Sequence, residues 1–531
     1  MKQLLHVDLS TRSNAVVVTV AGELDMTTAG LLAEHVEEAQ RLLGTARAVV
    51  VDLTGVGFIA AAGVAVLLHA HRTCEALGVP LWVVAPAEFA RRTLRICDLD
   101  SVLHVVAKSP AVTAERLRSA LEGRASADHT AAVLTTGANA PGLRIDVVAA
   151  AWETEPADFR AHIADLSAAL SRQGHRVVLL IRRTSGDLPD AERTRMGYDL
   201  VRVAAGPPTT LNRAALLPHL DEFAARLDRR WAEHAPDVVH LHSWTSGLAV
   251  RACEATLVQS FHGLKTVQDA DSASTSKVRD LELLTALSAH HVITTSSHEV
   301  AGLVRAGVPR ARMTLVPWGV DTDLFSPHGP AAPRGAVHRV VALGEVAPRS
   351  GFRAAIEALT AAPGAELLVV GPIRSALPRE DPEVTSLIRH ARAHGVDDRV
   401  RFTGQVSRRT LAALLRSADV ALRVPWRDPG GGSALQAMAC GVPLIASRVD
   451  ALPDIVVEDV TGLLVPPGDA PALGQALRGL LDDPMGRDVH AITSVDRART
   501  RYSWDRVTTE AVATYRKART PAAPTNRHAS R

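Results

Sequence analysis

Short apolar strands alternate with helices along residues 143–517, and this alternation restricts the fold more than any other feature. One series opens with LRIDVVAAA (Leu143–Ala151), and a second opens with HRVVALGE (His338–Glu345). Continuous apolar strands joined by helices form parallel sheets, because a parallel connection needs a long crossover. Ligands of such sheets bind beyond the carboxyl ends of the strands. The pattern therefore predicts an α/β body of two domains that face each other across a cleft.

The 531 residues are too many for a single core, and changes in composition mark the predicted boundaries. Residues 1–122 also alternate strands and helices. The segment that follows is small, polar and rich in Gly, which is typical of a linker. The predicted division is an N-terminal domain (1–122), a linker (123–142), a first Rossmann-like domain (143–330), a second one (331–500), a helix returning to the first half (501–517) and a disordered tail (518–531).

Charge and cysteine usage exclude several classes of function. Lys plus Arg number 59 and Asp plus Glu number 57, a balance that argues against a nucleic-acid-binding surface over the whole molecule. We find no apolar run long enough for a membrane span and no signal peptide at the start. The four cysteines lie far apart and offer no metal-ligand spacing or disulfide framework. We expect a cytoplasmic protein.

Two segments of residues 1–122 are VAGELDMTTAGLL and VVVDLTGVGFIAAAGVAVLLHAHRTCEALG. On these segments the region resembles a STAS domain, the fold of anti-sigma factor antagonists. In antagonists of that family a serine after the central strand is phosphorylated, whereas this chain has alanines at 60–62. A phosphoserine adds about −1.5 to −2 charges and three acceptor oxygens, which alanine cannot carry. The resemblance therefore implies a STAS fold without that phospho-switch, and leaves a role in binding a protein partner.

An ordered set of fragments runs through the remainder of the chain: LLPHLDEFAARLDRRWAEHAPDVVHLHSWTSGLA, QSFHGL, VPWGVDTDLFSP, QAMACGVPLIAS and LPDIVVEDVTGLLVPPGD. Together they resemble family 4 glycosyltransferases of the GT-B fold, in particular the actinobacterial group of the mycothiol pathway and the sucrose-phosphate-synthase-like enzymes. The resemblance implies a GT-B body of two Rossmann-like parallel-sheet domains. It also implies retaining transfer from a nucleotide-sugar donor to an acceptor that the sequence does not identify, with no metal or other cofactor.

The glycine-rich segment before the helix ALQAMAC is the first candidate for donor binding. Glycines before a helix let a phosphate or sugar approach the backbone, and a helix start favours negative charge. In the resembled family two glutamates contact the donor here, and this chain has Asp428 and Gln436 in their places. His262, in SFHG, matches the family histidine near the transferred sugar. The resemblance assigns His262 and Asp428 as catalytic residues that address the sugar. The residues assigned to donor binding are Gly430, Gly431, Gly432, Ser433 and Gln436, together with Gly344 and Arg349 of the segment described next.

The segment that should hold the donor diphosphate departs from the family pattern. Family members have Gly-Arg, four residues, then Lys-Gly; here Gly344 is followed by Glu345, and Ser350 replaces the Lys. Arg349 lies one residue earlier and is the candidate substitute. Losing two hydrogen bonds to a charged group costs about 3–6 kcal/mol of donor binding. The loop at 150–160, AAWETEPADFR, also lacks the glycines with which the family approaches donor and acceptor.

These departures leave two main hypotheses, beside a regulator that acts mainly through the STAS domain on a sigma-factor circuit. The first is a working glycosyltransferase that holds the diphosphate with Arg349 and the glycine-rich helix start. The second is a catalytically degenerate scaffold or ligand sensor of the same fold, regulated through the STAS domain. Binding and turnover of a nucleotide sugar distinguish them.

Overall fold

The computed structural model describes residues 5–12, 15–24, 28–43, 48–59, 61–85, 104–106, 142–250, 253–264, 273–375 and 380–519. These residues form an α/β protein with three sheets of five, eight and six strands. All of the predicted linker except Gly142, and the predicted tail from 520 onward, lie outside the described residues. No helix in the described ranges is long and apolar enough to cross a membrane.

The described part of the N-terminal domain contains a five-stranded sheet and two helices. The strand order is β1-β2-β3-β4-β5, with β1 antiparallel to β2 and the other pairs parallel. Helix α1 buries Leu32, Val36 and Ala39, a spacing that places one face against the sheet. The elements are β1 (His6–Arg12), β2 (Ala15–Leu24), α1 (Ala29–Arg41), β3 (Ala48–Ile59), α2 (Ala61–Ala76), β4 (Leu81–Val84) and β5 (His104–Val106).

The first half of the body has the sheet order β13-β12-β11-β10-β6-β7-β9-β8, in which every described pair except β8–β9 is parallel. Its strands are β6 (Arg144–Ala149), β7 (Arg176–Arg182), β8 (Ala191–Arg193), β9 (Asp199–Val203), β10 (Val238–His242), β11 (Thr256–Ser260), β12 (His291–Thr294) and β13 (Met313–Leu315). Its helices are α3 (Ala157–Arg172), α4 (Arg213–Leu216), α5 (Leu220–Glu233), α6 (Ser243–Leu248), α7 (Ala273–Ser288) and α8 (Ser297–Arg305).

The second half has an all-parallel sheet in the order β16-β15-β14-β17-β18-β19. The order in which the chain adds strands to the sheet reverses between β14 and β17. Open α/β sheets bind ligands at such a switch point. The strands are β14 (His338–Leu343), β15 (Ala365–Val370), β16 (Val400–Gly404), β17 (Val420–Arg423), β18 (Leu444–Ser447) and β19 (Gly462–Val465). The helices are α9 (Phe352–Ala358), α10 (Pro382–Ala393), α11 (Arg408–Arg416), α12 (Gly432–Ala439), α13 (Leu452–Ile455), α14 (Ala470–Asp482) and α15 (Pro484–Tyr502).

The last helix, α16 (Trp504–Arg519), returns to the first half, where it contacts α3, β11 and β12. The boundaries predicted for this segment, 501 and 517, are shifted. Helix α15 continues to Tyr502, Ser503 separates the two helices, and α16 continues to Arg519. Ser503 is extended and bridges to Val320, because Val320 donates its N–H to the Tyr502 carbonyl. The break between α15 and α16 therefore lies at the residue that pairs with Val320.

The side chain of Tyr515 joins the returning helix to the first sheet through a buried hydrogen-bond chain. The Ser260 hydroxyl donates to the carbonyl of Ile293, so it accepts from Nε2 of His240, 2.9 Å away. The opposite ring nitrogen of His240 then accepts from the Tyr515 hydroxyl at 2.8 Å. Burial raises the pKa of Tyr515, which stays a donor. Helix α16 is thus held to the strand that leads to the cleft.

A second hydrogen-bond chain runs from the cleft into the core. Trp318 Nε1 donates to His262 Nδ1 at 3.1 Å, and His262 Nε2 lies 2.8 Å from His242 Nδ1. An indole N–H can only donate, so His262 donates through Nε2 to His242. Burial lowers the pKa of His162 and His240 to about 3, and those of His242 and His262 well below the ordinary value. The four imidazoles are neutral at pH 7.

We expect His162→Phe to make folding less sensitive to acid. The ring of His162 stacks on Trp318 at 4.5 Å between centroids, and phenylalanine preserves this packing. Because burial lowers the folded-state pKa, the unfolded state binds more protons below about pH 6.5, and stability falls as the pH drops. Each buried histidine therefore lowers the free energy of unfolding by about 1.4 kcal/mol for each pH unit below that value.

The measurement is urea unfolding, followed by tryptophan fluorescence, at about pH 7 and about pH 5. The His162→Phe protein should lose less unfolding free energy between the two pH values than the unmodified protein. The exposed His328 gives the control, since His328→Gln should leave the loss unchanged. An equal loss in the His162→Phe protein would show that this imidazole does not stay neutral in the folded state.

Candidate functional site

A cavity of about 510 Å³ lies between the two halves, beyond the carboxyl ends of β14 and β17. This volume is within the range of small-molecule sites. The first half contributes Glu155, Asp158, Phe159, His262 and Trp318, and the second contributes Gly344, Glu345, Arg349, Ser350, Gln405, Arg423, Trp426, Arg427, Asp428 and Ser433. Of the residues predicted for the site, the structure brings His262, Gly344, Arg349, Asp428 and Ser433 together along this cleft.

Arg423, the last residue of β17, fills the space above Gly344. Its Nη1 donates to the Leu343 carbonyl at 2.9 Å and lies 2.2 Å from where a Cβ on Gly344 would be. A side chain at 344 is therefore excluded by the guanidinium, and φ there is +145°. Gly344 and Arg423 meet because β14 and β17 are neighbours whose carboxyl ends share one sheet edge. The cleft thus has a cation beside the segment where the family places its arginine.

The carboxylate of Asp428 is buried and already bound within the protein. Oδ2 accepts from Arg423 Nε at 2.6 Å, and Oδ1 accepts from the Gly431 N–H at 2.8 Å. The N–H of Asp428 itself donates to Asp450, which also pairs with Arg427. Asp428 therefore fixes the start of the glycine-rich turn and the direction of the Arg423 guanidinium. Each of its oxygens therefore already accepts one hydrogen bond from the protein.

The glycine-rich run lies against Trp318 rather than against the open cleft. A Cβ on Gly430 would fall 2.3 Å from the indole, and one on Gly432 would fall 3.2 Å from it. Gly431 has φ +65°, and a Cβ there would strike Ile455. Gly430 and Gly432 make room for the indole and Gly431 makes room for Ile455, and none of the three is among the residues that line the cavity. Their contact with a donor phosphate stays a prediction. Ser433, one residue later, does line the cavity.

Gln436 lies further along α12 and does not line the cleft. It is half-buried one turn beyond Ser433. The structure therefore does not bring Gln436 to the cavity with Asp428, although the sequence spacing of the family pair is kept.

The loop from Gly344 to Gly351 presents an exposed cation and an exposed carboxylate to the cleft. Arg349 has φ +69°, an uncommon conformation for a residue with a Cβ, and its guanidinium lies 5.5 Å from the ring centroid of Trp426. The Arg349 carbonyl accepts from the Trp426 N–H, which holds the loop against the segment after β17. Glu345 is exposed and Ser350 half-buried at the same rim.

The loop after β6 closes the opposite wall with a turn of 3-10 helix, Trp152–Thr154. Glu155 follows it, buried, and Arg213 donates to its carboxylate at 2.7 Å. Burial raises the pKa of Glu155, and Arg213 opposes the shift. This wall is built from side chains and a short helix, in keeping with the absence of glycine from the loop.

Sequence reasoning missed Arg423 and Trp318 as site residues. Arg423 lies in the apolar segment DVALRV, where a lone arginine at the carboxyl end of a buried strand was the available signal. Trp318 lies in the fragment VPWGVDTDLFSP, but its partners His162, His262 and Gly430 lie 56 to 156 positions away in the chain. Contacts over such separations leave no local pattern.

Three protein families match the chain in the order found in the structure. Residues 6–120 match the STAS domain, residues 160–324 match Glycosyltransferase Family 4, and residues 335–495 match Glycosyl transferases group 1. Each range contains most strands of one sheet, although β6 lies before the second range.

Relatives and solved structures agree with this division. The D-inositol 3-phosphate glycosyltransferase of Xylanimonas cellulosilytica is 32% identical over 373 residues, which are 65% of this chain and 88% of the relative. The enzyme of the same name from Mycolicibacterium paratuberculosis is 30% identical, over 68% of this chain and 85% of the relative.

Among solved structures, sucrose-phosphate synthase from Thermosynechococcus elongatus has a TM-score of 0.63 and 25% identity, covering 70% of this chain and 98% of its own. Anabaena Alr3699/HepE in complex with UDP and glucose has a TM-score of 0.56 and 16% identity, covering 70% and 99%, which shows a common fold. With the interdomain cleft, the two GT-B domains and these relatives, the chain belongs to the family 4 glycosyltransferases and carries an N-terminal STAS domain.

Proposed function

We propose that the protein transfers a sugar from a nucleotide diphosphate donor bound in the interdomain cleft, with retention of anomeric configuration. The observation that carries this proposal is the position of Arg423, whose guanidinium lies over Gly344 at the switch point of the second sheet. Doubly wound sheets bind nucleotides beyond the strand ends at the switch point. A cation fixed there would lie next to the diphosphate of the donor. UDP, found in the Anabaena Alr3699/HepE complexes, is the nucleotide that we propose first.

Two of the three arginines that line the cavity, Arg423 and Arg349, act on the leaving group, whereas Arg427 pairs with Asp450. Arg423 is held by Asp428, so its direction is set before the donor binds, whereas Arg349 is exposed and lies against Trp426, from which it would turn to the diphosphate. A guanidinium placed where negative charge develops on the departing diphosphate stabilises the transition state. Arg423 and Arg349 thus take over from the basic residues that Glu345 and Ser350 replace. No metal is needed for this arrangement.

His262 acts through position rather than by proton transfer. Both of its ring nitrogens are engaged, one by Trp318 and one by His242, and its pKa lies well below the ordinary value. A general acid or base needs a free nitrogen and a pKa near the working pH. His262 therefore forms part of the wall that the sugar meets.

Retention is read directly from the anomeric configuration of the product by NMR.

The donor proposal is tested by calorimetric titration of the full chain with UDP-glucose, GDP-mannose and UDP-GlcNAc. A turnover assay with D-inositol 3-phosphate follows, because two of the relatives are named for that acceptor. Binding with sugar transfer or donor hydrolysis supports the proposal. If none of the donors binds at millimolar concentration, the enzyme proposal fails and the catalytically degenerate scaffold is the better description.

We expect Arg349→Asn to weaken donor binding about 10- to 150-fold, the equivalent of one hydrogen bond to a charged group. Asparagine tolerates the positive φ at this position, so the loop conformation is kept. Arg305→Gln, which removes a charge from the exposed side of α8, is the control and should leave affinity unchanged. Unchanged affinity in the Arg349→Asn protein would remove Arg349 from the diphosphate site.

We also propose that the STAS domain binds the donor-side domain of its own chain. Helix α2, which begins where antagonists carry their phosphoserine, contacts α15. Val460 is buried in the apolar cluster of the STAS domain, and Val457 and Val489 pack against it. Val460 also accepts hydrogen bonds at its carbonyl from His490 and Thr493, which fixes the loop after α13 to α15. The STAS domain thus contacts the segment that follows Ile455, the residue packed under Gly431.

We expect Val489→Asp to release the STAS domain, because a carboxylate placed in an apolar contact loses its hydration. Limited proteolysis should then separate the STAS domain from the rest of the chain faster than in the unmodified protein. Met485→Asp is the matched control, since Met485 is 65% exposed on the same helix and should not alter cleavage. Equal cleavage rates in the Val489→Asp and Met485→Asp proteins would contradict a contact through α15.

A further inference from the structure

Two histidines and a glutamate converge on the outer side of the second domain, away from the cleft. His390 and His394 lie one turn apart at the end of α10, and Glu357 lies near the end of α9. One ligand atom of each side chain lies within 4.8 Å of the other two. Histidines four residues apart on a helix lie on the same face, so both imidazoles reach the neighbouring helix.

The ring of His394 is oriented for metal binding. Its Nδ1 donates to the His390 carbonyl at 3.0 Å, which leaves the lone pair of Nε2 free. Metal-bound histidines have this arrangement, in which the second ring nitrogen donates to a carbonyl or carboxylate and fixes the tautomer. His390 Nε2 lies 2.9 Å from Glu357 Oε1, so two further ligand atoms already face each other.

The cluster is partly enclosed but open on one side. The side chain of His390 is 17% exposed and that of Glu357 is 38% exposed, while His394 is exposed. One turn back along the same helix pair, Arg353 donates to Ser386, which holds α9 and α10 side by side. The three ligand groups therefore come from a fixed helix pair, and water can reach a fourth position.

We propose that Glu357, His390 and His394 bind a zinc ion, with water as the fourth ligand. Two imidazole nitrogens and one carboxylate oxygen form a ligand set that zinc takes in proteins, at bond lengths of about 2.0–2.2 Å. Ligand atoms now up to 4.8 Å apart reach that geometry by small rotations of exposed side chains. The ion replaces the direct contact between His390 and Glu357.

The site is separate from the donor cleft, and a bound ion would act on the cleft only through helix α9. Glu357 and His394 line a different surface depression, together with Gln475 and Arg478. Helix α9 begins after Gly351, at the end of the loop that carries Arg349. A metal bridge between α9 and α10 restrains the far end of the helix that supports this loop. We therefore expect zinc to raise the melting temperature of the protein.

The experiment is calorimetric titration of zinc chloride into the full chain after treatment with a chelator. We expect one site whose affinity falls about tenfold or more in the His394→Ala and Glu357→Gln proteins, because each loses one ligand. His328→Ala removes an exposed histidine that lies before β14, outside the cluster, and should leave this site intact. The zinc-dependent rise in melting temperature should disappear in the two ligand variants alone.

His394 is exposed, so its replacement tests binding without loss of the fold, and melting curves in chelator verify this. Equal zinc affinity and stoichiometry in the unmodified, His394→Ala and Glu357→Gln proteins would overturn the proposal. In that case the three side chains form only a surface ion pair with a neighbouring imidazole.

Discussion

The packing of Trp318 between the two halves is the contact on which the cleft depends. One face of the indole stacks on His162, and the ring also lies against the backbone of Gly430. Its N–H sets the protonation pattern of His262 and, through it, of His242. A residue with a Cβ at 430 would displace the indole, because the nearest ring atom is 2.3 Å from that Cβ. The glycine run is therefore a packing requirement of the interdomain contact.

The charges of the cleft are arranged differently from the pattern of the family. The carboxylate of Glu345 lies at the rim, where the family has a cation, and Arg423 supplies a cation from the end of the neighbouring strand. Asp428 neutralises and orients this arginine from a buried position. A buried pair of this kind contributes little net stability, but it fixes the direction of its members. The pair thus fixes the direction of Arg423, whereas Arg349 is exposed at the rim of the cleft.

The STAS domain and the returning helix act on the same part of the second domain from two sides. Val460 and Val489 pack with the STAS core, and Tyr502 and Trp504 belong to the apolar cluster that spans the two halves. Tyr502 donates its hydroxyl to the Asp454 carbonyl, next to Ile455 under Gly431. The glycine-rich turn is therefore supported by segments that reach both the N-terminal domain and the C-terminal helix. This arrangement gives the STAS domain a physical route to the cleft.

The sequence by itself determined the α/β class, the three domains in order and the family. Strand alternation and ordered motifs are local properties, and they are read without knowledge of distant contacts. It also placed His262, Gly344, Arg349 and Asp428 after strands, where parallel sheets carry their ligand sites. Such positions follow from the order of elements alone.

Only the tertiary structure decided what those residues touch. It turned the glycine run towards Trp318, engaged both oxygens of Asp428, and filled the space over Gly344 with Arg423. It also joined Glu357 to two histidines on another helix. These outcomes depend on side chains that are distant in sequence or lie on neighbouring elements. Their contacts are set by how the sheets and domains pack, and no local spacing encodes that packing.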